Sequence, residues 1–326
     1  MAKNRMGLQC YMLQNCQDLK EKSSLSHSRA VADIGKFVSY TRDAGISKAS
    51  VYANPAAAVQ GWVDALKAEG KSPATVHTYA ASACRGLGIS MSQIKTPPRT
   101  VATKSKSNGS CARAIKERSD PRNARLVEFQ QAVGIRRSEL SALKGRNLTH
   151  DSSGALCVEV ERGKGGKYQL QRIAPEDEAL VRGYFDGKGR DEPIFSSEEM
   201  DCRNLDLHGI RAEHARAEYD RYAEMCQQPG GRERLQQELM DRYEDSRAGC
   251  KAYNAALDRG NYAAANKLRE NFRSEMEGTY TLRGDNRALA EKEGRPLVYD
   301  KTALLAVSVF ALSHWRNEVT VKHYMI

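Results

Sequence analysis

The sequence contains no segment that could cross a membrane and no recognisable secretion signal. Its longest apolar run, Ala303 to Leu312, is far shorter than the ~20 residues that a membrane-spanning helix needs. Residues 1–16 hold no continuous apolar stretch, which a secretion signal requires. We therefore expect a soluble protein that has no membrane partner and resides in the cytoplasm.

The cysteines lack the spacing of a metal site. There are eight of them, and no two form a Cys-x-x-Cys pair, so a zinc knuckle has little support. Scattered thiols in a reducing compartment are mostly small core residues. We assign them no function.

Positive charge is in excess along the chain. Lys and Arg number 51 against 41 Asp and Glu, which gives a net charge of +10. A basic chain attracts polyanions, and nucleic acid is the commonest polyanion in a cell. A basic soluble enzyme with scattered lysines would have the same composition, so charge alone leaves both interpretations open.

The chain divides into domains at a basic linker. Residues 28–94 combine apolar positions at helical spacing with prolines directly after Asn54 and Ser72, which predicts a small all-helical domain. Residues 95–120 are rich in proline, small polar residues and Lys or Arg, as is typical of a linker. The positive charge of this linker suits either contact with phosphates or exposure to solvent. We assign no function to the N-terminal extension, residues 1–27.

A second, mixed domain is predicted at residues 121–326. Asn123 can cap a helix that continues through Leu143. Two alternating runs, Leu156 to Glu161 and Tyr168 to Ile173, flank a glycine-rich turn and predict a β-hairpin.

A long, charged, tyrosine-rich stretch follows at residues 217–298. Its composition predicts a helical insertion, broken at Pro229–Gly231, that projects from the rest of the domain. The predicted fold class is therefore mainly α with a small β-hairpin or sheet (α+β).

Several segments carry side chains that suit phosphate chemistry. Breaking a DNA phosphodiester requires a nucleophile in line with phosphorus, positive charge at the non-bridging oxygens, and a proton for the departing 5′ oxygen. Arginine supplies lasting charge and can bind two oxygens at once, and a covalent nucleophile conserves the bond energy for rejoining. The candidates are Arg136 and Glu139 at helical spacing, Lys164 in the hairpin turn, His208 and Arg211 at helical spacing, and His314, Trp315 and Tyr324 in a final helix over Ser313 to Ile326.

Each of these signals has an ordinary structural explanation when taken singly. An Arg–Glu pair at this spacing is usually a surface ion pair, and a glycine-rich segment between strands is usually only a turn. A tyrosine is usually a packing residue. The ordered set, at these separations along one chain, is much harder to obtain by chance.

As a set, these segments resemble the tyrosine recombinase family, also called phage integrases. The resemblance rests on Gly134–Leu140, Gly163–Gly165, His208–Arg211, and Leu312–Trp315 followed by Tyr324. It covers residues 28–216 and 299–326, and the ending Val319–Tyr324 is closest to prophage and mobile-element integrases. It implies a core-binding domain that contacts DNA at residues 28–94 and a catalytic domain at residues 121–326. The separation of Arg211 from Tyr324 exceeds the family's usual length because of residues 217–298.

The resemblance also implies a role for each matched basic residue. Arg136 and Arg211 would hold the scissile phosphate and stabilise the pentacoordinate transition state. Lys164, with Lys167 as the second choice, would protonate the leaving 5′ oxygen. His208 would assist proton transfer to or from the nucleophile.

The same resemblance implies the nucleophile and its supporting residues. Tyr324 would form a 3′-phosphotyrosyl link. Glu139 would orient its neighbours rather than touch phosphate. The family's His or Trp position is occupied by Trp315 when it is counted back from Tyr324, and by His314 if the helix start shifts.

The implied activity is site-specific recombination of DNA, for integration or excision of a mobile element. Its implied partners are double-stranded DNA, three further copies of the chain in a tetramer on DNA, and an accessory excision factor, with a nucleoid-associated location in the cytoplasm. No metal and no cofactor are expected, because guanidiniums supply the positive charge. The alternatives are a type IB topoisomerase, a telomere resolvase, or a non-catalytic DNA-binding regulator on the same scaffold.

Overall fold

A computed structural model of the chain describes residues 6–22, 24–100, 112–202 and 204–325. The chain forms two compact units, Met1–Ser105 and Lys106–Ile326. It is mainly helical, with one three-stranded and one two-stranded antiparallel sheet, so the prediction of a mainly α protein with small β-structure is confirmed. Within the described ranges, every helix is too short or too polar to cross a bilayer.

The first unit is a helical bundle, as its sequence predicts. Its helices are α1 (Leu8–Gln14), α2 (Asp18–Lys22), α3 (Ser24–Asp43), α4 (Lys48–Ala53), α5 (Pro55–Ala68) and α6 (Pro73–Leu87). The side chains of Asn54 and Ser72 accept hydrogen bonds from the N–H groups of Ala57 and Thr75. Both cap-and-proline signals therefore mark true helix starts.

The core of this unit includes residues from the predicted N-terminal extension. Trp62 stacks on Tyr79, with ring centroids 5.7 Å apart. Leu8, Met12 and Cys16 are buried in the same hydrophobic core. The described part of residues 1–27 is thus packed into the bundle.

The predicted linker is helical at its C-terminal end. Residues 101–111 lie outside the described residues, so the expectation for that part is not addressed. Beyond them, α7 spans Ala112–Arg118, and the Arg118 guanidinium donates to both carboxylate oxygens of Glu213, at 2.7 and 2.6 Å. This two-point contact ties the end of the linker to the second unit.

The predicted hairpin is present and belongs to a three-stranded sheet. Strands β1 (Leu148–His150), β2 (Leu156–Val160) and β3 (Gln169–Arg172) are antiparallel, in that order. The turn between β2 and β3 is closed by the Gly163 N–H, which donates to the Lys167 carbonyl at 2.7 Å. The turn residue Lys164 is exposed.

The helix predicted from Asn123 to Leu143 is broken at Gly134. Helix α8 (Ala124–Val133) ends there, and a short α9 (Arg137–Leu140) follows. Gly134 has a φ of 62°, and a Cβ at this position would lie 2.2 Å from His214 Cδ2. Only glycine permits both the left-handed turn and this close packing.

The remaining helices of the second unit are α10 (Glu178–Phe185), α11 (Ser197–Met200), α12 (Leu207–Gln227), α13 (Gly231–Glu244), α14 (Lys251–Asp258), α15 (Tyr262–Ser274), α16 (Gly284–Lys292), α17 (Lys301–Ala306) and α18 (Asn317–Thr320). A second sheet pairs β4 (Thr279–Thr281) with β5 (Val298–Asp300). The segment at residues 217–298 is therefore not wholly helical.

That segment is packed into the second unit and does not project from it. Leu235 and Leu239 of α13 are fully buried in one hydrophobic cluster with Leu305 and Phe310. Helix α12 also continues without a break from Leu207 into the segment. The expectation of a projecting insertion is corrected, because its apolar residues complete the core beneath the C-terminal segments.

The predicted final helix over Ser313–Ile326 is divided into parts. Ser313 and Trp315 have positive φ values of 52° and 61°, which non-glycine residues rarely adopt. Helix α18 begins only after this bend, and Val321–Met325 continues as a wider π-helical turn. Ile326 lies outside the described residues.

Candidate active site

Arg136 is held at the start of α9 by a single carboxylate. Its backbone N–H donates to Glu139 Oε2 and its Nη1 to Glu139 Oε1, each at 2.8 Å. Glu139 is 3% exposed. Burial by itself raises the pKa of Glu139, but the N–H and charge of Arg136 bring it below its usual value. The ionised carboxylate thus fixes Arg136, which stays partly exposed to a ligand.

Arg211 of α12 is buried where three stretches of the chain meet. It is 1% exposed. Its Nη1 donates to the Gly134 carbonyl, its Nη2 to the Leu312 carbonyl at 2.9 Å, and its Nε to Tyr324 Oη at 3.3 Å. Burial lowers the pKa of Arg211, and the nearby charge of Arg136 acts in the same direction. Because Glu139 offsets only one of these two charges, the arrangement favours an anion.

Tyr324 lies against both arginine-bearing segments of the same chain. Its side chain is buried, and its Oη is 3.1 Å from His314 Nε2. Arg136 Nη2 is 3.5 Å from the same His314 nitrogen, and the His208 ring centroid is 5.5 Å from that of Tyr324. We call Arg136, Arg211, His208, His314 and Tyr324 the arginine–tyrosine cluster.

The neighbours of His314 fix the direction of its hydrogen bonds. Arginine can only donate, so the contact with Arg136 requires Nε2 of His314 to accept. Tyr324 Oη–H is then the donor to the same nitrogen. Burial lowers the pKa of His314 to about 3, and the charges of Arg211 and Arg136 act in the same direction. His314 is therefore neutral at ordinary pH, and its Nε2 accepts a hydrogen bond from the Tyr324 hydroxyl.

The His208 ring packs against the Tyr324 ring, whereas His314 contacts the Tyr324 hydroxyl through Nε2. Asp206 caps α12 by accepting from the Gly209 N–H at 2.9 Å, which places His208 in the first turn. Partial desolvation lowers the pKa of His208, the charge of Arg211 lowers it further, and Asp206 opposes both.

The hairpin turn lies beside the cluster. The charge of Lys164 contributes to the lowered pKa of His314, and a Cβ built on Gly163 would lie 3.1 Å from Glu139 Oε1. The second-choice Lys167 is also exposed and uses its carbonyl to close the turn. The structure thus places Lys164 near the cluster, and the choice of Lys164 over Lys167 stays a prediction.

Trp315 is not brought to the cluster. Its ring packs against Tyr243 and Phe272, with centroids 6.1 and 5.9 Å away, because the positive φ values of Ser313 and Trp315 reverse the chain here. His314 lies where Trp315 was expected as the first candidate. The second choice of the sequence analysis therefore fits the geometry.

Two supporting contacts were not predicted from the sequence. Gln171 of β3 is fully buried and its Nε2 donates to the Ala311 carbonyl, while Arg216 Nη1 donates to the Tyr324 carbonyl at 2.9 Å. Neither residue stands in a motif. Such side-chain to backbone contacts leave no spacing signal, because any residue can supply the carbonyl.

The cluster combines two fixed cations, a hydroxyl and two imidazoles, of which that of His314 is neutral. A hydroxyl in this setting can lose its proton to the imidazole while the guanidiniums hold an anionic substrate. In the part of the chain that the structure describes, no three His, Cys, Asp or Glu side chains are grouped to hold a metal ion.

Comparison with known proteins adds little to this geometry. No protein-family model matches the chain, and no curated protein matches it significantly. Among solved structures, a crystal structure of XerA recombinase aligns with 89% of this chain and 98% of that chain, at 14% identity and a TM-score of 0.23. At this TM-score the two folds cannot be equated, so function has to be argued from the arginine–tyrosine cluster itself.

Proposed function

We propose that this protein is a site-specific DNA recombinase of the tyrosine type, with Tyr324 as its nucleophile. The observation that carries the proposal is the position of Tyr324 Oη, 3.3 Å from Arg211 Nε and 3.1 Å from His314 Nε2. The ordered resemblance of the surrounding segments to tyrosine recombinases supports a DNA phosphodiester as the anion.

In the proposed reaction, Tyr324 Oη attacks phosphorus and passes its proton to His314 Nε2. The bond from phosphorus to the 5′ oxygen breaks, and Lys164 donates a proton to that oxygen. The products are a 3′-phosphotyrosyl link and a free 5′ hydroxyl, and rejoining is the reverse. Arg136 and Arg211 bind the non-bridging oxygens and stabilise the added negative charge, while His208 assists the proton transfer.

Binding of DNA prepares His314 for this role. Burial lowers the pKa of His314 in the free protein, and the positive charges of Arg211 and Arg136 lower it further. A bound phosphate offsets those charges, so the pKa of His314 rises and the imidazole becomes a better base.

The resting arrangement has to open for a phosphate to enter. Tyr324 is 4% exposed and Arg211 is 1% exposed, so both side chains are closed to a phosphate in this arrangement. The Tyr324 hydroxyl also occupies the Nε donor of Arg211, which the phosphate needs. Rotation of the tyrosine side chain would free Arg211 Nε without moving the backbone.

The proposed partners follow from the same chemistry. The net charge of +10 suits double-stranded DNA. Exchange of all strands between two duplexes needs four nucleophiles, hence a tetramer of this chain on DNA. Integration or excision of a mobile element, an accessory excision factor and a nucleoid-associated location in the cytoplasm complete the proposal.

The test is covalent trapping on nicked duplexes. A set of duplexes tiled across the DNA that flanks the gene, each nicked close to its centre, releases a short strand after cleavage and prevents rejoining. We expect an SDS-resistant adduct whose peptide maps to Tyr324 and which is absent in Tyr324→Phe. An adduct that persists in Tyr324→Phe would overturn the assignment, and DNA binding without any adduct would indicate a non-catalytic regulator.

A further inference from the structure

We propose that β4, α16 and β5, together with Arg216, form a dock that holds the Tyr324 backbone onto the arginines of the same chain. This inference rests on the proposed function, and it gives residues 279–300 a positioning role. We call the residues of this segment that contact residues 321–325, together with Arg216, the tyrosine dock.

The first observation is a hydrophobic pocket for the segment that carries Tyr324. Val321 and Met325 flank Tyr324 and are fully or almost fully buried. They pack in one cluster with Leu282, Ala290 and Tyr299, which come from the dock. Apolar burial on both sides of Tyr324 therefore depends on residues that lie within or directly beside the long segment at 217–298.

The second observation is a set of donors aimed at two consecutive carbonyls. Arg216 Nη1 donates to the Tyr324 carbonyl at 2.9 Å, and Arg295 Nη1 donates to the Met325 carbonyl at 3.2 Å. The Tyr299 hydroxyl also donates to the Met325 carbonyl, at 3.4 Å. Hydrogen bonds from charged donors are stronger than neutral ones, so the backbone is fixed at the nucleophile itself.

The third observation is that α12 holds Tyr324 from two sides. Arg211 contacts the Tyr324 hydroxyl and Arg216 contacts its carbonyl. Because the backbone is fixed by Arg216, the motion left to Tyr324 is rotation of its side chain. The dock thus allows the hydroxyl to leave Arg211 for a phosphate while keeping the nucleophile in its own subunit.

Hydrogen exchange tests the dock without relying on activity. In the full-length protein, backbone amides of residues 321–325 are expected to exchange at least tenfold faster in the double variant Arg216→Met, Arg295→Met than in the unmodified protein. Arg287→Met is the matched control, since Arg287 lies on α16 and its pairing with Glu291 is on the exposed face. Equal exchange in the double variant and the control would overturn the dock.

Adduct formation on a nicked duplex tests the positioning role. We expect Arg216→Met and Arg295→Met each to slow adduct formation about tenfold while DNA affinity stays within twofold, and we expect Arg295→Lys to recover part of the rate. A faster reaction would mean that the dock restrains the nucleophile, and that result would contradict the proposal.

Mixing two variants with different defects tests whether the nucleophile stays in its own subunit. Tyr324→Phe keeps the arginines and lacks the hydroxyl, and Arg136→Ala keeps the hydroxyl and lacks one arginine. We expect the mixture to form adduct no faster than Arg136→Ala alone, whereas a faster rate would show delivery between subunits and refute the proposal. If the unmodified protein itself forms no adduct, the recombinase proposal fails, and hydrogen exchange still decides whether the dock exists.

Discussion

Arg136 and Arg211 are assigned the same phosphate but are held in different ways. Arg136 is partly exposed and bonded to the carboxylate of Glu139, whereas Arg211 is buried and bonded to two carbonyls and Tyr324. Loss of Arg211 would leave buried carbonyls without donors, which is costly to folding. Substitution of Arg136 therefore tests the effect on the reaction with less loss of folding stability than substitution of Arg211.

We expect Arg136→Ala to slow adduct formation by about 10²–10³-fold, the usual effect of removing one donor to a developing negative charge. DNA affinity should change little, because binding is spread over many phosphate contacts. Single-turnover adduct formation and fluorescence anisotropy measure the two quantities. Arg122→Ala is the control, since Arg122 is an 85% exposed arginine of the same unit. Equal adduct rates in the two variants would remove Arg136 from the site.

The lowered pKa of His314 predicts how stability depends on pH. The unfolded chain has a histidine pKa of about 6.5, and the folded protein holds His314 at about 3. Between these values the unfolded state binds the extra proton, so the free energy of unfolding falls as pH falls. Above pH 7 this histidine contributes no pH dependence.

Chemical denaturation at pH 7 and pH 4.5 tests this sign with His314→Asn. The loss of unfolding free energy between the two pH values should be smaller in His314→Asn than in the unmodified protein. His150→Asn is the control, because His150 is an exposed histidine of β1 outside the arginine–tyrosine cluster, and the loss in this variant should match that of the unmodified protein. A loss in His314→Asn as large as in the control would mean that His314 titrates freely.

Local signals in the sequence were enough for some elements and not for others. The caps at Asn54 and Ser72 and the alternating strands of the hairpin depend on neighbouring residues, so sequence spacing predicts them. The break at Gly134 depends on close packing with His214, which is far away in sequence. The choice of His314 over Trp315 likewise depends on an aromatic cluster built by Tyr243 and Phe272.

The segment at residues 217–298 is where the sequence-based expectation differs most from the structure. Its high charge indicates a solvated insertion, yet helices α13, α14 and α15 each place side chains in the hydrophobic core. Leu239 is fully buried among Leu305 and Phe310. A charged sequence with few apolar positions does not reveal which of them are shared with another segment.

We expect Leu239→Ala to destabilise the protein by about 2–5 kcal/mol, the usual cost of such a core truncation. Because Leu239 and Tyr324 belong to the same hydrophobic cluster, DNA cleavage should be lost at a lower temperature than in the unmodified protein. Leu257→Ala is the matched control, a 36% exposed leucine of α14 whose loss should cost less than about 1 kcal/mol. Chemical denaturation measures the free energy of unfolding of both variants. An equal loss in the two would mean that residues 217–298 do not contribute to the core.

At the scale of the whole molecule, the candidate site unites segments that no local pattern connects. Arg136, Arg211 and Tyr324 lie far apart along the chain and meet only through the folded second unit. Their order and spacing along the chain are enough to predict that they act together. The contacts of Arg211 with the Gly134 and Leu312 carbonyls can be seen only in the structure. The excess of positive charge indicated a polyanion and could not indicate which atoms bind it.

The net charge makes a last prediction for the intact protein. Each phosphate neutralised by Lys or Arg contributes about −0.9 to the slope of log affinity against log salt concentration. A recombinase that neutralises at least six phosphates should lose at least about 10³-fold in affinity between 50 and 200 mM salt. Tyr324→Phe is the protein to use, because it excludes covalent binding from the measurement. Fluorescence anisotropy with a duplex gives the slope, and a slope shallower than about −2 would correspond to at most about two phosphates, too few for a protein that holds a DNA duplex along its backbone.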